Sequence, residues 1–106
     1  MEAPLEIDVT AAAVQLQAGA VLLDVREPDE YAHCHVTGSR HIPMRQIPES
    51  IGDLPRDQPL LVLCHHGGRS LRVTQFLRAN GFTNATNVAG GIDAWALHLD
   101  PAIPRY

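Results

Sequence analysis

Leu60-Leu61-Val62-Leu63-Cys64-His65-His66-Gly67-Gly68-Arg69-Ser70 sets an apolar run against a glycine pair and the start of a helical pattern. Residues 60 to 64 form an unbroken apolar run, with the length and composition of a strand covered on both faces. From Arg69 to Asn80, the residues Leu71, Val73, Phe76 and Leu77 recur close to the helical period, and Gly81 supplies a stop. Two adjacent glycines lie between the two patterns. A strand, a tight turn and a helix in that order form part of a βα repeat, so an α/β fold on a parallel sheet is expected.

The same alternation continues outward on both sides. Strands are predicted at Ile7–Val9, Val21–Asp24, Arg40–Ile42, Leu60–Cys64 and Asn87–Val88, with the second and fourth central because VLLDV and LLVLC are nearly continuous in apolar character. Thr10 is placed to cap a helix through Ala11, Val14 and Leu16 that Gly19 ends. Pro28 suits the first position of a helix reaching Tyr31, and Pro43, Pro48 and Pro55 restrict residues 44 to 54 to short turns. A last helix follows Gly90-Gly91 and carries Trp95, read as a packing residue, before Pro101 and Pro104 impose an irregular tail.

A chain of 106 residues with 45% hydrophobic content buries about two-thirds of its unfolded surface. One domain over residues 1–106, needing neither disulfide nor structural metal, is therefore expected. The net charge is −4, and the cationic side chains are eight scattered arginines. A phosphate-binding face needs them clustered, so nucleic acid is not an expected partner. The acidic opening MEAPLEIDVT lacks the basic and apolar regions of a secretory signal, and no apolar run approaches a membrane span. The expected location is cytoplasmic, away from membranes, with at least one of Cys34 and Cys64 a free thiol.

Cys64 ends the central strand, where open parallel sheets bind ligands against the amides of the following helix. Gly67 and Gly68 let successive amides converge on one anion. Those dipoles, with the Arg69 guanidinium, favour negative charge on a sulfur, which makes Cys64 the candidate nucleophile. A buried cysteine before an ordinary turn is the plain alternative, but such a turn has no need of paired glycines and an arginine. Arg69 is assigned to anion binding, against the alternative of an ion pair that closes the loop. Ser70 is read as a donor to the sulfur or a helix cap. His65 and His66 are placed at the mouth of the loop, without a proton-transfer role. No zinc-ligand spacing appears, so no metal is assigned. Asp24 and Arg26 follow a strand end, and Arg26 and Glu30 have the spacing of a helix-entry ion pair.

Four ordered segments together resemble the rhodanese family. The loop from Cys64 resembles its active-site loop, LLDVREPDEY (22–31) the stretch around its second strand, HVTGSRHIP (35–43) its His-x-x-Gly segment, and NVAGGIDAW (87–95) its C-terminal signature. The resemblance implies a three-layer α/β/α domain with a five-stranded parallel sheet, and a sulfurtransferase that carries sulfur as a persulfide on Cys64. On this likeness His65, His66, Gly67, Gly68, Arg69 and Ser70 would bind a small anionic donor such as thiosulfate, with cyanide or a thiol as acceptor and no cofactor. A sulfur-relay protein is a further candidate partner, and a sulfur-carrier or regulatory module is the alternative function. Phosphatases that share the fold have five residues between cysteine and arginine; here Cys64 and Arg69 are separated by four, as in the sulfurtransferase form. Cys34 departs from the family, which often has glycine there. A second thiol could resolve a persulfide as a disulfide only if the two sulfurs came within bonding distance.

Overall fold

A computed structural model describes residues 2–106. Five parallel strands, β1 (Glu6–Ile7), β2 (Val21–Asp24), β3 (Arg40–His41), β4 (Leu60–Leu63) and β5 (Ala85–Val88), form one sheet in the order β1-β5-β4-β2-β3. Among the described residues the α-helices are α1 (Val9–Gln17), α2 (Pro28–His33), α3 (Ile47–Ser50), α4 (Gly68–Ala79) and α5 (Gly91–His98), with short 3-10 turns at Met44–Gln46 and Ile51–Asp53.

Alternation along the central strands explains the layers. On β4, Leu61 and Leu63 join Leu22, Val9, Ala12, Ile92 and Trp95 on the face covered by α1 and α5. Leu60, Val62 and Cys64 join Leu23, Ile47, Val73 and Leu77 on the face covered by α3 and α4. Both faces of a strand are thus apolar, which is why the sequence reads as a run and not as an alternation.

Several boundaries differ from the sequence expectation, each for a local reason. The α1 cap is Asp8, not Thr10: β1 stops at Ile7, and the Asp8 side chain accepts the Ala11 N–H at 2.9 Å, a contact of a kind worth about 1 kcal/mol. Parallel pairing of Leu60 with Ala85 and Leu61 with Thr86 extends β5 two residues toward its start. At the loop, β4 ends one residue early because the Cys64 carbonyl leaves the sheet and accepts the Ile92 N–H of α5 at 2.8 Å.

The chain leaves β2 toward β3 on one side of the sheet and leaves β4 toward β5 on the other. A crevice therefore opens beyond the ends of β2 and β4, the topological switch point of this sheet. Cys64 sits on one side of it and Asp24 and Arg26 on the other.

Candidate active site

The Cys64 loop is shaped by its surroundings as much as by its own glycines. Gly67 caps α4 with a φ of 108°, a left-handed conformation that costs glycine nothing, and its carbonyl accepts the Leu71 N–H. The turn brings the Gly67 N–H to 3.1 Å from Cys64 Sγ. One turn into α4, the fully buried Ser70 points its hydroxyl at the same sulfur, 3.2 Å away. Ser70 therefore meets the sulfur and is not the helix cap. Two hydrogen-bond donors, one from the backbone and one from a side chain, thus converge on the sulfur.

Gly90-Gly91, which the sequence marks only as the start of the last helix, holds the loop in place. The N–H groups of Ile92 and Asp93 bind the carbonyls of Cys64 and His65 at 2.8 and 3.1 Å. Approach this close leaves no room for a side chain at Gly91: its φ is +60°, and a Cβ there would lie 2.5 Å from the Cys64 carbonyl oxygen and would also strike the His65 carbonyl. From β5, the buried Asn87 donates to the Gly67 carbonyl at 3.2 Å and to Glu6 at 2.7 Å. A buried amide in a short strand is a readable signal, since asparagine is depleted from strands.

Arg69 makes the loop-closing ion pair that was the alternative reading. Its guanidinium donates to both Glu30 oxygens at 2.6 and 3.0 Å, tying the end of the loop to α2. That contact raises the guanidinium pKa against the opposing effect of burial. For Glu30, the Arg69 hydrogen bonds are the largest influence and hold its pKa at about 2.

The spacing of Arg26 and Glu30 does not produce a side-chain ion pair. Arg26 reaches only the Glu30 backbone carbonyl, at 3.3 Å, because its charge is taken by Asp24 at 2.7 Å, with both side chains fully buried. The nitrogen on Asp24 also donates to the Cys34 carbonyl at 2.7 Å, and the one that reaches Glu30 also donates to the Tyr106 hydroxyl at 2.8 Å. Burial alone would lower the Arg26 pKa, and the Asp24 and Tyr106 hydrogen bonds more than reverse this.

The depressed Glu30 pKa makes part of the stability acid-sensitive. A carboxyl shifted from 4.5 in the unfolded chain to about 2 in the fold stabilises fully above the higher value and loses that contribution as pH falls toward the lower. Glu30→Gln is expected to lower the melting temperature at pH 7, and the gap from the unmodified protein should close between about pH 4.5 and pH 2. Thermal melts of both proteins across that range check this.

His65 supplies shape and not charge. Burial, then the neighbouring His66, lowers its pKa from the ordinary value of 6.5, so the ring is neutral at pH 7. His66 is exposed, 4.0 Å from Asp93. The face of His65 carries the ring of Tyr106, with centroids 3.9 Å apart and planes 5° from parallel. Tyr106 escapes a sequence reading because its partners are distant in the chain: Glu30, which accepts its hydroxyl at 2.7 Å, is 76 positions away. The neighbouring Arg105 grips Asp93 through two bonds of 2.9 and 3.2 Å.

Cys34 Sγ faces the Pro104 carbonyl at 3.6 Å, and both cysteines are free thiols. Cavities of about 460 and 270 Å³ are lined by other parts of the chain. Among the described residues, no helix is long and apolar enough to cross a membrane.

A five-stranded parallel sheet with a cysteine loop at its switch point defines a class of α/β domain, and comparison gives the family. The profile of the Rhodanese-like domain matches residues 8–98, and the chain belongs to that family. It is 37% identical over 78 residues to the thiosulfate sulfurtransferase GlpE of Stutzerimonas stutzeri, covering 74% of this chain and 72% of that one. A rhodanese-related protein from Thermoplasma volcanium superposes with a TM-score of 0.83 at 32% identity, covering 95% and 98% of the two chains. The human single-domain sulfurtransferase TSTD1 gives a TM-score of 0.83 at 25% identity, covering 89% and 96%. A chloroplastic Rhodanese-like/PpiC domain-containing protein of Arabidopsis thaliana is 40% identical over 91 residues, but the chain spans only 30% of its length.

Proposed function

We propose that this chain forms one rhodanese-like domain over residues 1–106 and acts as a thiosulfate-type sulfurtransferase with Cys64 as its nucleophile. The observation that carries the reading is the convergence of the Gly67 N–H and the Ser70 hydroxyl on Cys64 Sγ at the switch point of the sheet. Likeness to proteins named thiosulfate sulfurtransferase, at 37% identity in two bacteria, supports the choice of chemistry.

The thiolate attacks the outer sulfur of thiosulfate, the sulfur–sulfur bond breaks, and sulfite leaves with the bonding pair. Cys64 then carries a persulfide. Cyanide or an acceptor thiolate attacks the terminal sulfur, the new sulfur–sulfur bond breaks, and the Cys64 thiolate returns. Two half-reactions through one covalent intermediate give ping-pong kinetics.

His65, His66, Gly67, Gly68, Arg69 and Ser70 form the substrate-binding loop. Gly67 and Ser70 serve the sulfur itself. A guanidinium has five N–H donors, and Glu30 takes two of those on Arg69, leaving three for the anionic end of a donor. The fit is to a cytoplasmic protein that uses small sulfur compounds.

Ser70→Ala removes one donor to the sulfur without adding bulk. A hydrogen bond to a charged group is worth about 1.5–3 kcal/mol, so kcat/KM with thiosulfate should fall about tenfold or more. Initial rates at varied thiosulfate, beside a melting curve showing an intact fold, check this.

A second reading, a carrier or regulatory module fed by a partner protein, draws support from the setting of related sequences. The chain corresponds to 30% of the Arabidopsis protein and to 17% of a Bacillus anthracis CoADR-RHD chain. A thiosulfate and cyanide turnover assay, paired with a pull-down for a sulfur-donating protein, separates the two. Turnover identifies the enzyme. Absent turnover with a captured donor that loads Cys64 identifies the carrier.

A further inference from the structure

The pair Arg105–Tyr106 stands outside the loop yet touches it from both ends. Tyr106 lies face to face with His65, the second loop residue, with centroids 3.9 Å apart. Its hydroxyl accepts from Arg26 at 2.8 Å and donates to Glu30 at 2.7 Å, and Glu30 is the carboxylate that holds Arg69. The ring thus bridges from the start of the loop to the residue pair at its end. His33 meets the ring edge at 5.6 Å, and Arg105 fixes the adjoining backbone to Asp93 at the head of α5.

Tyr106 is 44% exposed, so it does not fill a core. An exposed ring tied by two hydrogen bonds to a buried cation and an anion has the character of a cover. Movement of this segment changes what reaches the loop and leaves the sheet intact, since the residues that Tyr106 meets, Arg26, Glu30, His33 and His65, lie outside the five strands.

We propose that Arg105–Tyr106 is a cover across the mouth of the Cys64 loop, and that Tyr106 selects small over bulky reactants at Cys64. The inference rests on Cys64 being the reactive thiol of the proposed function and adds a size filter to it. Cyanide and thiosulfate pass with the cover seated. Larger thiols wait for it to open, and their rates follow the open fraction.

Alkylation tests this without calling on sulfur transfer. Iodoacetamide and its N-phenyl derivative share one reactive carbon and differ in bulk, and peptide masses assign the modified thiol to Cys64 instead of Cys34, which contacts Pro104 in the same segment. Losing hydrogen bonds to charged partners should release the segment, so Tyr106→Ala is expected to raise the rate with the N-phenyl reagent about tenfold or more. The iodoacetamide rate should stay within about twofold, because the small reagent already passes the seated cover. Arg105→Ala, which loosens the segment and leaves the ring in place, should move the same ratio less, and it remains readable if Tyr106→Ala fails to fold. Equal acceleration of both reagents, or no change with the bulky one, overturns the proposal. A chain that shows the size filter but takes no sulfur from thiosulfate refutes the enzyme reading and leaves the cover standing.

Discussion

Cys64→Ser is expected to remove thiosulfate-to-cyanide turnover by at least about a thousandfold while the melting temperature changes little, the pattern seen when the nucleophile of a covalent mechanism is removed. Serine matches cysteine in shape, so the contacts of Gly67 and Ser70, at 3.1 and 3.2 Å, keep a polar partner. What goes is the atom that can hold a second sulfur. An alkoxide is far harder to form than a thiolate at neutral pH and has no route to a persulfide. Residual turnover near that of the unmodified protein would assign the chemistry to another group.

Gly91→Ala is the substitution expected to cost most in structure. The left-handed backbone at φ +60° penalises a non-glycine residue by about 1–2 kcal/mol. Overpacking adds about 1–3 kcal/mol, because the new Cβ would press on the Cys64 and His65 carbonyls, which are backbone and cannot swing aside. Against a domain stability of about 5–15 kcal/mol the sum is large. The displaced atoms also belong to the loop itself, so activity should fall even where the protein still folds. Denaturant melts and turnover rates read the two losses. Gly52→Ala makes the control, since it stands outside the loop, its backbone is not left-handed and nothing lies within 4 Å of a Cβ there.

The sheet was legible because its central strands are apolar on both faces, and VLLDV and LLVLC have no other comfortable place than between two helical layers. Strand ends were less so. Whether Cys64 closes β4 or leaves it depends on the Ile92 N–H, nearly thirty positions away, and no local pattern encodes that. The loop from Cys64 to Ser70 could be marked as a unit from its glycines and its position, but the partners of its side chains could not. Arg26 and Glu30 have helix-entry spacing and yet turn to Asp24 and Arg69, because folding brings those charges closer. Asn87 and Gly91 carried usable signals, an amide in a strand and a paired glycine. Tyr106 carried none, since its place over His65 is purely tertiary.

Whether Cys64 accepts sulfur from thiosulfate can be read from the mass of the intact protein after incubation with it. A gain of one sulfur atom per chain is expected, reversed by cyanide and absent in Cys64→Ser. A mass unchanged by thiosulfate, or a gain that survives replacement of Cys64, would contradict Cys64 as the sulfur acceptor.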